Sequence, residues 1–221
     1  MELIFQEGKY LIKTLSTHEE MEAGFALRHE VFVDELKWVP PSPDGMERDR
    51  YDSFAHPIGV FDEWNELVGY VRLIPAPEPF MIEKEFACLL PEDKKPFKKN
   101  NSMAESTRIC IKKERRTILL DSSLTLGHLL YKAIYQWCLM QDIRFFVTIV
   151  EKRYHRYLKA FFPFEPLGSF LPLGDGVMSG VITLDWRNFE LLAQKTKPEF
   201  LQWMTNLPAL VPSKWLQPAS Y

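Results

Sequence analysis

The chain has 221 residues, 46% of them hydrophobic, 14% aromatic and 26% charged, with a formal net charge of −3. That hydrophobic content excludes a disordered chain, and the weakly acidic balance excludes an overall basic nucleic-acid binder, though not a local basic patch. The length suits a single compact domain over 1–221. The cysteines, Cys88, Cys110 and Cys138, are odd in number and far apart, with no zinc-ligand spacing and no complete disulfide framework. The first residues lack the basic and long apolar segments of a secretory signal, and the longest apolar stretches are strand-sized. A cytoplasmic protein with reduced thiols, packed in apolar stretches, and no membrane insertion is expected.

In chain order, 10–15 reads as a strand. Thr17-x-x-Glu20 looks like a capping box opening a helix through about 36, with Met21, Phe25, Phe32 and Leu36 on one stripe. Arg28 falls on that stripe, where a guanidinium must find a buried partner or snorkel to the rim. Pro40-Pro-Ser-Pro-Asp-Gly45 breaks the helix and starts a loop carrying Glu47, Asp49 and Asp52. Strands over 56–61 and 67–74 form a hairpin. Strict alternation puts Val68, Tyr70, Arg72 and Ile74 on one face of the second strand and Leu67, Val71 and Leu73 on the other. Arg72 thus sits in a strand that is apolar on both sides.

A short helix is expected over 80–90, a lysine-rich loop over 91–102 and a strand over 104–111. A helix from Ser122 or Ser123 to 141 follows, then a strand over 144–150, a helix over 151–161, a strand over 177–186 and helical pieces at the end. Phe145-Phe146 and Phe161-Phe162-Pro-Phe164 read as core, or as the wall of a tunnel for a long apolar ligand. Strands interleaved with helices indicate an α/β mixed sheet with helices packed on it.

No HExxH, GxSxG, GxxxxGK[ST] or GxGxxG occurs, and the five histidines show no ligand spacing. Metal, classical hydrolase and nucleotide-triphosphatase readings therefore lack support. What remains is a set of charged residues in apolar surroundings: Arg28, Asp49, Asp52, Arg72, Glu105 and Arg108. With Phe32 and Trp38 they form a pattern: Arg28-x-x-x-Phe32-x5-Trp38, Gly45-Met-Glu-x-Asp49-x-x-Asp52, Arg72 in Val-Arg-Leu-Ile-Pro, and Glu105-Ser-Thr-Arg108. This pattern resembles the acyl-homoserine-lactone synthases, the autoinducer synthases of bacterial quorum sensing, over roughly 19–150. The long-chain N-acyl amino acid synthases share a similar glutamate–arginine strand and are the alternative, together with a non-catalytic acyl-carrier-binding module.

The resemblance implies a fold like that of the Gcn5-related acetyltransferases, with a twisted mixed sheet splayed in the middle and helices on both faces. It implies an acyl-carrier-protein thioester as donor and S-adenosylmethionine as acceptor, a substrate rather than a cofactor, with no metal. The products are an N-acyl-homoserine lactone, 5′-methylthioadenosine and the free carrier. An α-amine with pKa of about 7.7–8 must lose a proton before it attacks, and Glu105 is the candidate base. Glu105 and Arg108, three apart, point to opposite faces of a regular strand; either a bulge re-aims one, or Arg108 serves the other side.

Arg28, Phe32 and Trp38 would wall the acceptor pocket. Asp49 and Asp52 would hold the acceptor's positive end or pair with Arg28 and Arg72, with Arg28 and Asp49 favoured for ligand contact and Asp52 and Arg72 for scaffolding. Lys94, Lys95, Lys98 and Lys99, and then Lys112, Lys113, Arg115 and Arg116, are either solvated loops or a docking site for an acidic carrier. No glycine-rich loop follows Ile111, which argues against coenzyme A as donor. Thr148 is either a β-branched strand former or the donor to an oxygen on the third acyl carbon.

Overall fold

The computed structural model describes residues 2–120, 123–174 and 176–207. A nine-stranded sheet runs in the order β1-β2-β3-β4-β5-β6-β9-β7, with β8 also on β9. The strands are β1 (Ile4–Glu7), β2 (Tyr10–Thr14), β3 (His56–Phe61), β4 (Leu67–Pro75), β5 (Met103–Ile111), β6 (Phe145–Glu151), β7 (Glu165–Pro166), β8 (Leu171–Leu173) and β9 (Val177–Asp185). Among the described residues only β5 and β6 pair in parallel. Helices are α1 (His18–Arg28), α2 (Leu126–Met140), α3 (Lys152–Leu158), α4 (Trp186–Thr196) and α5 (Pro198–Thr205). No helix among the described residues is long and apolar enough to cross a membrane.

Local chemistry explains most of these elements. Thr17 and Glu20 make the reciprocal capping box that starts α1. The β3–β4 hairpin is closed by Asp62, whose carboxylate accepts from the Trp64 and Glu66 amides at 3.0 Å each. Helix α2 is buried along nearly its whole length and packs with Val71, Leu73, Ala104 and Phe146 on the back of the sheet, where Phe162 and Phe164 join the same core. The front carries two smaller cores. One joins α1 to Tyr70 and Cys110; the other joins Tyr51, Phe80, Met81 and Ile82 to Ile74, Val147 and Val181.

Several sequence expectations need correction. The expected 18–36 helix is α-helical only to Arg28 and continues as a π-helix over His29–Glu35. The wider turn places Val31, Phe32 and Val33 all in buried positions, which a single α-helical stripe does not do. The 80–90 segment is two 3₁₀ turns, Met81–Glu83 and Ala87–Leu89, because consecutive Phe80, Met81 and Ile82 are all buried. The helix expected from Ser122 or Ser123 is instead opened by Thr125, and Ser122 lies outside the described residues. A register shift opposite Val60 and Phe61 places Leu67 in the front core and Val68 in the back core, reversing their expected faces. Cys110 and Cys138 are buried as expected, whereas Cys88 is exposed on its 3₁₀ turn.

Candidate active site

Between the two front cores, α1, the 47–52 loop, β4 and β5 each deliver charged side chains to one place. Arg28, the last residue of α1, is fully buried. Its Nε donates to Glu47 at 2.5 Å and its Nη1 to Asp52 at 2.6 Å; Nη2 pairs with both, and the Tyr70 hydroxyl lies 3.4 Å from Nη1. Arg72, also fully buried, donates from Nη1 to Asp49 at 2.5 Å and Asp52 at 2.7 Å, and from Nε to the Thr107 hydroxyl at 2.9 Å. Arg108 reaches Glu47 at 2.9 Å and Asp49 at 3.0 Å, and its guanidinium stands 5.7 Å from the Phe32 ring centroid. The guanidiniums of Arg28, Arg72 and Arg108 thus balance the carboxylates of Glu47, Asp49 and Asp52. This mutual pairing is what permits so many charges in a buried site.

The network settles whether Arg28 snorkels: it does not. With its donors engaged by Glu47, Asp52 and Tyr70, Arg28 scaffolds the cluster and presents nothing outward. The members that reach solvent most are Asp49, with its side chain 21% exposed, and Arg108, 15% exposed. The Arg72 guanidinium holds the Asp49 carboxyl below the usual carboxylate range against the opposing effect of burial.

A β-bulge brings Arg108 to the front. Two steps along β4, from Arg72 to Tyr70, span three along β5, from Thr107 to Cys110, and Arg108 has φ +55°. Before the bulge Glu105 and Thr107 share the face of Arg72. After it the parity changes, so that Ile109 and Ile111 pack behind and Cys110 lies in front.

Glu105 is fully buried, and both carboxylate oxygens accept backbone N–H groups, from Met81 at 2.5 Å and Ile82 at 3.0 Å. Burial pushes its pKa up to about 7, although those two donors and Arg72 pull the other way. The Met81 sulfur lies 3.2 Å from Arg72 Nη2 and 3.8 Å from Arg108 Nη1, which joins the Glu105 turn to the ion network. Glu105 pairs with Val147, and the parallel register ends one step later at Ser106 and Thr148. Beyond that pair β5 and β6 part, which is the splay expected of the sheet.

Phe32 and Trp38 form a tilted pair with centroids 6.2 Å apart, Phe32 buried and Trp38 53% exposed at the rim. The Trp38 and Val39 amides both close on the Phe32 carbonyl, with Lys37 between in the left-handed conformation at φ +58°.

The two basic clusters are not brought together. They flank opposite ends of β5, a strand about 30 Å long. Lys94, Lys95 and Lys99 pair with Asp93, Glu92 and Glu83, and Lys112, Arg115 and Arg116 with Glu66, Asp62 and Glu35. Lys98 and Lys113 are exposed. Glu47, Tyr70 and Met81 escaped the sequence reading as site residues. Glu47 carried a usable signal, since it lies two residues before Asp49 in the same loop. Among the described residues no cluster of His, Cys, Asp and Glu is arranged to hold a metal ion.

Known proteins of one family resemble this chain over most of its length. Residues 13–175 match the family described as autoinducer synthase. An acyl-homoserine-lactone synthase of Agrobacterium fabrum is 31% identical over 169 residues, covering 74% of this chain and 79% of that protein. One from Aliivibrio fischeri is 31% identical over 142 residues, covering 64% of this chain and 72% of that protein. The structure of BjaI, a CoA-dependent acyl-homoserine lactone synthase solved with SAM and isopentyl-CoA, superimposes with a TM-score of 0.69 at 25% identity, covering 87% of this chain and 89% of that one. The N-acyl amino acid synthase FeeM shares the fold, with a TM-score of 0.62 at 15% identity, covering 84% of this chain and 96% of that one.

Proposed function

This chain belongs to the autoinducer synthase family, whose members are acyl-homoserine-lactone synthases, and from that premise we propose that it acylates S-adenosylmethionine from an acyl-carrier-protein thioester. The observation that carries the reading is Glu105: a buried carboxyl with pKa about 7, one register step from the parting of β5 and β6 and joined to the arginine–carboxylate network. The methionyl α-amine, with pKa of about 7.7–8, gives its proton to Glu105 directly or through a water, a nearly balanced transfer. The freed amine attacks the thioester carbon; the N–C bond forms, the C–S bond breaks and the carrier thiol leaves with a proton. The methionyl carboxylate then attacks its own γ-carbon, closing the lactone and expelling 5′-methylthioadenosine.

Asp49 and Arg108, the most exposed members of the network, would meet the ammonium and carboxylate of the acceptor, and Phe32 and Trp38 would face its adenine and sulfonium. Backbone N–H groups on the facing edges of β5 and β6 beyond Ser106 and Thr148 would stabilise the oxyanion. Both substrates carry activated bonds, a thioester and a sulfonium, so the scheme needs no resident cofactor or metal. It places the enzyme in the cytoplasm with its acyl carrier. Support for a carrier protein over coenzyme A comes from the absence of glycine from 112 to 126, where a pyrophosphate-cradling loop would lie.

The test is to supply acyl-carrier thioester or acyl-CoA with S-adenosylmethionine and measure free thiol and methylthioadenosine together. Equal release, faster from the carrier thioester, is expected. Thiol release stimulated by a free amino acid, without methylthioadenosine, would move the assignment to an N-acyl amino acid synthase. Faster turnover of acyl-CoA would overturn the choice of donor.

A further inference from the structure

Glu105 is held by a turn, and the turn is itself held by charges. The Met81–Glu83 turn donates the Met81 and Ile82 amides to Glu105. Its own start is closed by Glu83, whose Oε2 accepts from the Phe80 amide at 2.7 Å while the Glu83 amide returns to the Phe80 carbonyl at 3.2 Å. The same Oε2 accepts from Lys99 Nζ at 2.6 Å. Lys99 also donates to the Glu78 carbonyl at 2.6 Å and lies 4.5 Å from the Phe80 ring centroid. Its side chain is 16% exposed and lies against the turn.

We propose that Glu83 and Lys99 are positioning residues: together they lock the 80–83 turn so that its two amides meet Glu105, and Lys99 cancels the negative charge that Glu83 brings near it. The proposal rests on the reading of Glu105 as the base. A 3₁₀ turn of three residues has little intrinsic stability, so its geometry depends on such side-chain closures.

Several elements pack around the Glu105 turn. Strand β4 supplies Arg72 and β6 offers apolar Val147 across the register, while Arg108 of β5 reaches the turn only through the Met81 sulfur. The 49–52 loop supplies Asp49 and Asp52, both bound to Arg72, and Tyr51, which hydrogen-bonds Glu85. Glu83 raises the Glu105 pKa and Arg72 lowers it. Removing Glu83's charge and removing Lys99's charge should therefore move Glu105 in opposite directions. A mere loosening of the turn would move both variants the same way.

The experiment titrates the Glu105 carboxyl carbon by NMR in ¹³C-glutamate-labelled full-length protein, assigned with Glu105→Gln, alongside turnover measured as methylthioadenosine release. Lys99→Met should raise the midpoint by about half a pH unit and Glu83→Gln should lower it by a similar amount. Both should cut kcat roughly tenfold while KM for S-adenosylmethionine stays within about twofold. Lys99→Arg, which keeps the charge, should keep the wild-type midpoint. Midpoints that stay at the wild-type value, or that move together, would overturn the proposal. A split in the midpoints with no turnover by the wild-type protein would leave the positioning intact and overturn the assigned reaction instead.

Discussion

The Thr148 hydroxyl donates to the carbonyl of Ser106 at 3.0 Å, across the last paired position before β5 and β6 part. A hydroxyl has one proton to give, so a contact to an oxygen on the third acyl carbon requires Thr148 to release Ser106. Exchanging one acceptor for another gains little. Thr148→Val should therefore change the ratio of 3-oxo to unsubstituted acyl products by less than about threefold, well below the tenfold that a lost hydrogen bond can bring. It should cost about 1 kcal/mol of stability, seen as a fall of roughly 2–4 °C in Tm. A larger product shift with unchanged Tm would assign the hydroxyl to the acyl chain.

Glu105→Gln should lower kcat by 10²-fold or more at neutral pH, with substrate KM nearly unchanged. The wild-type rate should rise with pH and reach half its plateau near 7, following the buried carboxyl. Near-full activity in the variant would remove Glu105 from the role of base.

The same carboxyl predicts a pH dependence of stability. Its pKa is raised from 4.5 to about 7, so between those values the folded protein keeps a proton that the unfolded chain has released. Stability must then fall as pH rises through that window, by on the order of 3 kcal/mol relative to a chain without the group. Comparing Tm of wild type and Glu105→Gln from pH 4.5 to 8 isolates the contribution. A wild-type curve parallel to that of the variant would contradict the raised pKa.

Much of this site was legible in the sequence because charged residues stood out against apolar surroundings: Arg28 on a helix stripe, Arg72 in a two-faced strand, Asp49 and Asp52 in one loop. Their partners were less legible. Nothing local pairs Arg28 with Glu47 or carries Arg108 to the face of Glu105, because both depend on contacts between distant segments. The bulge at Arg108 has no glycine to announce it, and the π-helical continuation of α1 keeps an ordinary helical composition. The 80–90 segment is illegible as 3₁₀ turns because its apolar run is buried from several sides beneath the front core, and such a run has no period to read.

Arg28 tests the network itself. Arg28→Ala leaves Glu47 and Asp52 with reduced compensation in a buried site, which costs about 3–5 kcal/mol, or roughly 10 °C in Tm. Arg28→Lys keeps the charge but not the fork, and should fall between Ala and wild type. A variant that loses acceptor binding while keeping wild-type Tm would make Arg28 a ligand contact after all.

The bulge predicts an inversion of the usual order of substitutions. At φ +55° an alanine carries about 1–2 kcal/mol of left-handed strain that glycine does not. Arg108→Gly should therefore be more stable than Arg108→Ala by about 1 kcal/mol, although glycine is ordinarily the poorer strand residue. Both lose the guanidinium between Glu47 and Asp49, and neither should turn over. Equal Tm values would mean that the bulge relaxes when the arginine is removed.

Trp38 separates binding from folding. Its ring is 53% exposed and touches Phe32, which in turn faces the Arg108 guanidinium. Removing so exposed a ring should leave Tm nearly unchanged. If the ring faces the sulfonium or adenine of the acceptor, Trp38→Ala loses a contact of about 0.5–2 kcal/mol, which raises KM for S-adenosylmethionine by roughly 2- to 30-fold. Trp38→Phe keeps an aromatic face and should recover most of that loss, and kcat at saturation should change little in either variant. A fall in Tm with unchanged KM would instead make Trp38 the cover over the end of the π-helix, where its amide already closes on Phe32.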